Sequence, residues 1–184
     1  PLQMVSAVSA VANDGLLLKP RLVKQLTDVN GNVVQTFEPE VVRQVISRET
    51  SVTLRNILES VVSEGTGGNA YIKGYRVAGK TGTSEKLPRG NGKYVASFVG
   101  FAPADDPQVV CLVILDEPTG ESYYGGTIAA PVVGKILDDT LRYLEIEPKF
   151  TEEELETMDV IVPEVRNMEI KEAQDILKEL NLKN

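Results

Sequence analysis

Apolar residues in the first dozen positions recur at three- and four-residue steps. Leu2, Val5, Val8 and Ala12, with Ser9 beside them, mark one face of a short helix over 2–13, closed by Asn13-Asp14-Gly15. Residues 16–27 then read as strand interrupted by Pro20, Asp28-Val29-Asn30-Gly31-Asn32 as a turn, and 33–37 as the returning strand of a hairpin. Helical spacing resumes after Ser47, whose hydroxyl can accept a backbone N–H at a helix start. Val52, Ile57, Leu58, Val61 and Val62 supply the apolar face, and Gly65 ends it. A glycine-rich loop follows, Gly65-Thr66-Gly67-Gly68-Asn69.

Three extended segments come next, over 75–84, 94–102 and 108–115. Pro88-Arg89-Gly90-Asn91-Gly92 and Pro103-Ala104-Asp105-Asp106-Pro107 separate them, and connections this short favour antiparallel neighbours in a meander. Every residue from Val109 to Leu115 is apolar, which predicts cover by helices on both faces. Gly125-Gly126-Thr127 opens a last long helix, with Pro131 in its first turns and Ile136, Leu137, Leu141 and Leu144 as its stripe. The expected fold class is α/β in the broad sense: an α+β sandwich, with an antiparallel sheet packed between helices.

Residues 146–159 are acidic and hold Pro148, which reads as a linker, and Glu152-Glu153-Glu154 reads as solvated linker or helix start. Val160-Ile161-Val162-Pro163 is a short strand by pattern. Residues 169–180 form an amphipathic helix, with Ile170, Ala173, Ile176, Leu177 and Leu180 on one side. That unit is too small to hold a core alone. The expected organisation is therefore a body over 1–145, a linker over 146–159 and a partial module over 160–184.

Composition narrows the chemistry. A net charge of −8 without a basic patch argues against nucleic-acid binding. No apolar stretch approaches the roughly 20 residues of a membrane span. Opening on Pro1-Leu2-Gln3-Met4 inside a helical pattern, the chain reads as a fragment or processed product. There is no histidine and a single cysteine, Cys111, inside an apolar strand. That combination removes Ser-His-Asp and Cys-His catalysis and histidine-based zinc sites, and no metal or cofactor is expected. Lys, Ser, Thr, Tyr and carboxylates remain.

Residues 74–81, Gly-Tyr-Arg-Val-Ala-Gly-Lys-Thr, fit the phosphate-loop pattern G-x-x-x-x-G-K-[ST]. A phosphate loop follows a buried strand and leads into a helix; here Gly82-Thr83-Ser84-Glu85-Lys86-Leu87-Pro88 follows, which is no helix start. Lys80-Thr81-Gly82-Thr83 carries a second reading. On an edge strand beside a cleft, Lys80 faces a substrate carboxylate, Thr81 and Thr83 offer hydroxyl donors, and Gly82 lets substrate lie against the backbone, whose N–H can serve an oxyanion hole. Taken alone, K-T-G-T also suits a polar strand end.

The surrounding text bears on that choice. Pro1-Leu2-Gln3-Met4, Gly65-Thr66-Gly67, Gly79-Lys80-Thr81-Gly82-Thr83, Ala96-Ser97-Phe98-Val99-Gly100-Phe101-Ala102-Pro103 and Tyr123-Tyr124-Gly125-Gly126 with Ala129-Ala130-Pro131 occur in that order. Over 1–145 this resembles the C-terminal half of class B penicillin-binding proteins. The resemblance implies the transpeptidase/β-lactamase-like fold, C-terminal portion only. It also implies serine acyl transfer on peptidoglycan stem peptides, inhibition by β-lactam antibiotics, and an upstream half of the domain as partner. Lys80, Thr81, Gly82 and Thr83 would be catalytic-site residues, and Lys80, Thr81, Thr83, Tyr123 and Tyr124 would touch substrate. The implied location is the extracytoplasmic face of a bacterial membrane, held by an upstream anchor. Ile161-Val162-Pro163-Glu164-Val165 and the helix beyond resemble the start of a PASTA module, which points to a sporulation- or division-specific branch.

The chain departs from that family in one respect. None of its nine serines has lysine three positions later or asparagine two positions later, so the nucleophile motif and its companion are missing. The expectation is one wall of an active site, inactive alone. The rival readings are a non-catalytic module binding cell-wall peptide or a partner protein, and a nucleotide hydrolase.

Overall fold

The computed structural model describes residues 1–157, 165, 166 and 168–179. The chain divides into two compact units, Pro1–Lys149 and Phe150–Asn184.

In the first unit, β5 (Ala78–Glu85), β6 (Tyr94–Ala102) and β7 (Val109–Asp116) form an antiparallel sheet in the order β5-β6-β7. The register is continuous along both pairings, from Ala78 opposite Phe101 to Glu85 opposite Tyr94, and from Val95 opposite Asp116 to Ala102 opposite Val109. The meander expected from the short connections is therefore present, and β5 is an edge strand of this sheet. The pleat sends alternate residues of β6 to opposite faces. Phe98 and Ala102 pack with Val133, Leu137 and Leu141 of α4 (Ala130–Tyr143). Phe101 packs with Ala78, Ala12 and Ala104, flanked by Val8 of α1 (Leu2–Ala12) and Leu58 of α2 (Arg48–Ser63). The sheet lies between helices, as the α+β expectation requires.

The starts of α2 and α4 are legible. The Ser47 hydroxyl accepts from Thr50 N–H at 3.2 Å to cap α2. A short helix, α3 (Gly125–Ile128), precedes α4, whose first turn takes Pro131 where no intrahelical donor is lost.

Three expectations are corrected. The buried stripe of α2 runs through Ser51, Arg55 and Val62, while Val52 and Ile57 face solvent. Two polar residues occupy that stripe with partners: Ser51 Oγ donates to Val11 O at 2.6 Å, and Arg55 Nη2 bonds Asp14 Oδ1 at 3.3 Å, while Arg55 Nε is buried without a hydrogen bond among the described residues. The stripe of α4 is Ala130, Val133, Leu137 and Leu141, with Ile136 and Leu144 exposed. β7 is covered along one face, where Val109, Cys111, Val113 and Leu115 meet the α4 core. On its other face Val110 packs toward α1, while Ile114 is exposed.

The segment between α1 and α2 holds β1 (Leu16–Leu18), β2 (Gln25–Thr27), β3 (Val33–Thr36) and β4 (Val41–Gln44). β2 and β3 form the expected hairpin, its turn held by Asp28, whose carboxylate accepts from the N–H groups of Asn30 and Asn32, both at 2.9 Å. β4 pairs with β1 and was not anticipated. Beyond α4, Ile146 packs against the main core, Tyr75 Oη donates to Ile146 O at 2.8 Å, and Lys149 N–H bonds Gly74 O at 2.7 Å.

In the second unit, α5 (Glu152–Glu156) starts with a reciprocal cap: Thr151 Oγ1 accepts from Glu154 N–H at 3.2 Å while Glu154 Oε2 accepts from Thr151 N–H at 2.8 Å. α6 (Ile170–Glu179) follows. The strand expected over 160–163, and Leu180, lie outside the described residues.

Candidate active site

Residues 74–81 do not form a phosphate loop. Gly74 is a turn residue with φ 78°, Ile72 and Tyr75 bridge across that turn, and from Ala78 onward the chain is β5 rather than loop and helix. No nest of amides precedes a helix there, so the nucleotide reading fails on geometry.

The pleat of β5 instead divides the motif. Gly79, Thr81 and Thr83 face α3 and α4; Lys80 and Gly82 lie on the other side, opposite Val99 and Ser97. Gly79 is a packing residue: a Cβ there would stand 2.5 Å from the Phe98 ring. Gly82 lies over Ser97, whose Oγ would be 2.4 Å from an added Cβ. Lys80 is exposed beyond the Phe101 core. Its Nζ bonds only neutral oxygens, Thr81 O at 3.2 Å and Thr81 Oγ1 at 3.5 Å, and no salt bridge engages it among the described residues. An ammonium held at a strand edge without a counter-ion is a ready partner for an anion.

Thr81 Oγ1 lies 3.4 Å from Thr66 Oγ1, so the 65–69 loop stands beside the motif. The Thr83 hydroxyl accepts the Gly125 N–H at 3.1 Å. With a lone pair occupied by that amide, the hydroxyl proton stays free to donate elsewhere. Gly125 must be glycine for this approach, because a Cβ would meet Ser97 O at 2.2 Å and Gly82 O at 2.4 Å.

Tyr123 and Tyr124 precede Gly125, so this bond brings them to the motif strand. Tyr123 stacks on Tyr94 with centroids 4.0 Å apart, and Tyr124 lies 4.5 Å from Tyr123, its ring more than half exposed. The two hydroxyls approach to 3.3 Å, and that hydrogen bond raises the Tyr124 pKa.

Sequence reasoning missed a cationic clamp at the far end of the same loop. Lys86 Nζ bonds Asp116 Oδ1 at 2.9 Å and Glu117 Oε1 at 2.8 Å, while Lys93 Nζ bonds Glu117 Oε2 at 3.0 Å. Glu117 sits at φ 50°, where β7 turns into the tyrosine loop. Hydrogen bonds from Lys86 and then Lys93 lower its pKa, and Glu117 with Asp116 raises that of Lys86. A cluster of Lys86, Lys93, Asp116 and Glu117 leaves no sequence signal beyond alternating charge.

Among the described residues, no group of His, Cys, Asp and Glu could hold a metal ion, and no helix is long and apolar enough to cross a membrane.

Residues 1–138 match the family model described as "Penicillin binding protein transpeptidase domain". The chain is 44% identical over 191 aligned positions to stage V sporulation protein D of Bacillus subtilis, covering 99% of this chain and 30% of that protein. It is 40% identical to the transpeptidase domain of penicillin-binding protein 3 from Burkholderia pseudomallei, with a TM-score of 0.67 over 81% of this chain and 44% of that one. It is 30% identical to penicillin-binding protein 3 from Mycobacterium tuberculosis complexed with ampicillin, with a TM-score of 0.69 over 82% of this chain and 36% of that one. The chain thus spans less than a third of that curated relative and less than half of each solved neighbour.

Proposed function

This chain belongs to the penicillin-binding protein transpeptidase family, and from that premise we propose that it forms one wall of the active site of a peptidoglycan D,D-transpeptidase. The reaction is serine acyl transfer. A serine attacks the penultimate D-Ala carbonyl of a stem peptide, terminal D-Ala leaves, and an amine of a neighbouring peptide takes the acyl group. A β-lactam enters the same chemistry and stays as the acyl-enzyme.

The observation that carries this reading is the exposed Lys80 ammonium, which has no carboxylate partner among the described residues and lies beside the Thr81 hydroxyl on an edge strand. Lys80 holds the carboxylate of the stem peptide or antibiotic. Thr81 and Thr83 donate to it, Gly82 leaves the backbone open for an extended peptide, and Tyr123 and Tyr124 border the cleft. The attacking serine and its lysine come from the part of the domain that this sequence does not include. Peptidoglycan lies outside the cytoplasmic membrane, so the site works on the extracytoplasmic face of a bacterial cell. We assign residues 1–145 to the transpeptidase domain, 146–159 to a linker and 160–184 to a PASTA-like module. The similarity to a stage V sporulation protein supports a sporulation-specific role. The rival reading, a non-catalytic cell-wall-binding module, draws its support from the missing Ser-x-x-Lys.

The test is the second-order acylation rate of a full-length enzyme carrying this sequence. Losing one partner of a desolvated charge pair costs about 2–5 kcal/mol. At about 1.4 kcal/mol per tenfold, Lys80→Ala then acylates roughly 30- to 4,000-fold more slowly. Lys80→Arg keeps the charge and retains part of the rate. A folded Lys80→Ala enzyme that acylates at the wild-type rate makes Lys80 a surface residue and ends this reading.

A further inference from the structure

The 65–69 loop satisfies the end of α2 and needs no other role on sequence grounds, yet its contacts reach the motif strand and α3 together. An added Cβ on Gly126 would stand 2.4 Å from Thr66 O and 3.2 Å from Thr81 Cγ2, so loop, strand and helix meet with no room for a side chain. Asn69 Nδ2 donates to Gly126 O at 2.8 Å. One residue earlier, Gly125 N–H donates to Thr83 Oγ1 at 3.1 Å. The glycine pair is thus held at both ends, its leading N–H by the motif strand and its trailing C=O by Asn69. Whatever fixes the pair fixes two things at once: the direction in which the Thr83 hydroxyl proton is free to point, and the place of Tyr124, which is joined to Gly125.

We infer that Asn69 is a positioning residue for acyl transfer, acting through Gly125–Gly126 on Thr83 and Tyr124 without itself touching substrate. The inference rests on the active-site reading above. Its physical basis is selective. Asn69 is exposed and buries little apolar area, so its removal leaves the cores on either face of the sheet intact. The bond from Asn69 is neutral, and its loss releases the glycine pair from the loop side while Thr83 still holds the other. The effect belongs in the step that demands an aligned hydroxyl rather than in capture of the anion by Lys80.

The experiment uses a full-length enzyme carrying this sequence and a chromogenic β-lactam. Stopped-flow kinetics separate the initial binding constant from the acylation rate constant. Asn69→Asp is isosteric and replaces the donor with an oxygen facing Gly126 O. We expect the acylation constant to fall about three- to tenfold, the range of one neutral hydrogen bond, with the binding constant and melting temperature unchanged. Asn69→Gln, which keeps an amide donor, should recover most of the rate. Wild-type acylation by Asn69→Asp, alongside a slowed Lys80→Ala, overturns the inference and leaves the site reading intact. A loss shared equally by the binding constant and the melting temperature assigns Asn69 to structure and also overturns it. If Lys80→Ala itself acylates normally, the site reading falls, and this inference with it.

Discussion

Three glycines hold one phenylalanine. Added Cβ atoms on Gly67, Gly79 and Gly100 would stand 3.1, 2.5 and 3.1 Å from the Phe98 ring, which is fully buried. Gly79 therefore serves the core, while Lys80 beside it is exposed on the other side of the strand, and a phosphate-loop pattern arises from two unrelated demands on neighbouring residues. Gly79→Ala would meet the ring and also Val99 O at 2.8 Å, leaving no relaxation that spares the backbone. It should destabilise the protein by about 1–3 kcal/mol, as overpacking does, seen as a lower denaturation midpoint at unchanged slope. Gly120→Ala has open space around it and should stay within about 0.5 kcal/mol of wild type. Thr83→Ala makes a different point. It removes the acceptor of Gly125 N–H and the free hydroxyl proton together. In the full-length enzyme it should slow acylation by about 0.5–1.5 kcal/mol, much less than Lys80→Ala. A Thr83→Ala enzyme slowed as severely as Lys80→Ala would mean that the hydroxyl carries charge-like weight.

Elements were legible wherever the period alone decided them and obscure where partners did. The meander, the β2–β3 hairpin, the Ser47 cap and the break after α2 follow from spacing and turn residues. β4 was missed because Val41-Val42-Arg43-Gln44 lacks clean alternation and its pairing with β1 spans the intervening hairpin. The face of α2 was misread because Ser51 and Arg55 read as outward by type, and only their partners, Val11 O and Asp14, permit burial. Ser51→Ala tests that account. It strands Val11 O in the interface between α1 and α2 and should cost about 1–3 kcal/mol in chemical denaturation. The Lys86–Lys93–Asp116–Glu117 clamp was invisible for the same reason. Its pH response follows from the sign of each shift. The Glu117 pKa is lowered, so its contribution is present above the ordinary carboxylate range and lost as pH falls through the depressed value. The Lys86 pKa is raised, so its contribution is present below the ordinary lysine range and lost as pH rises through the raised value. The clamp is closed between those limits. Nitrogen relaxation of amides 119–124 should show ordering at neutral pH that is lost as pH falls through the depressed Glu117 value, and Glu117→Gln should lose part of it at neutral pH. Equal order in all three samples would remove the clamp from any role in holding the tyrosine loop.

At the scale of the whole molecule, the site as proposed is a wall without an attacking group, and that has a direct consequence for β-lactam chemistry. Acylation needs a serine with a base beside it. No Ser-x-x-Lys occurs among the nine serines of the sequence, so each remaining candidate stands on geometry. Ser97 lies under Gly82 on the central strand. Ser84 lies on β5 near Lys86, but Lys86 is tied to Asp116 and Glu117, and those bonds raise its pKa, so it holds its proton rather than removing one from serine. Lys80 donates toward Thr81, and a threonine hydroxyl inside a strand, already 3.4 Å from Thr66 Oγ1, is poorly placed to attack. The chain incubated with labelled penicillin should therefore show no covalent mass gain by intact mass spectrometry, while a full-length enzyme carrying the same sequence gains one equivalent. Non-covalent retention of the antibiotic by the isolated chain, weakened by Lys80→Ala, would fit a wall that binds the carboxylate without reacting. A stoichiometric adduct on the isolated chain, mapped by peptide digestion to Ser84, Ser97 or Thr81, would place the nucleophile inside this sequence and overturn the division of labour proposed for the site.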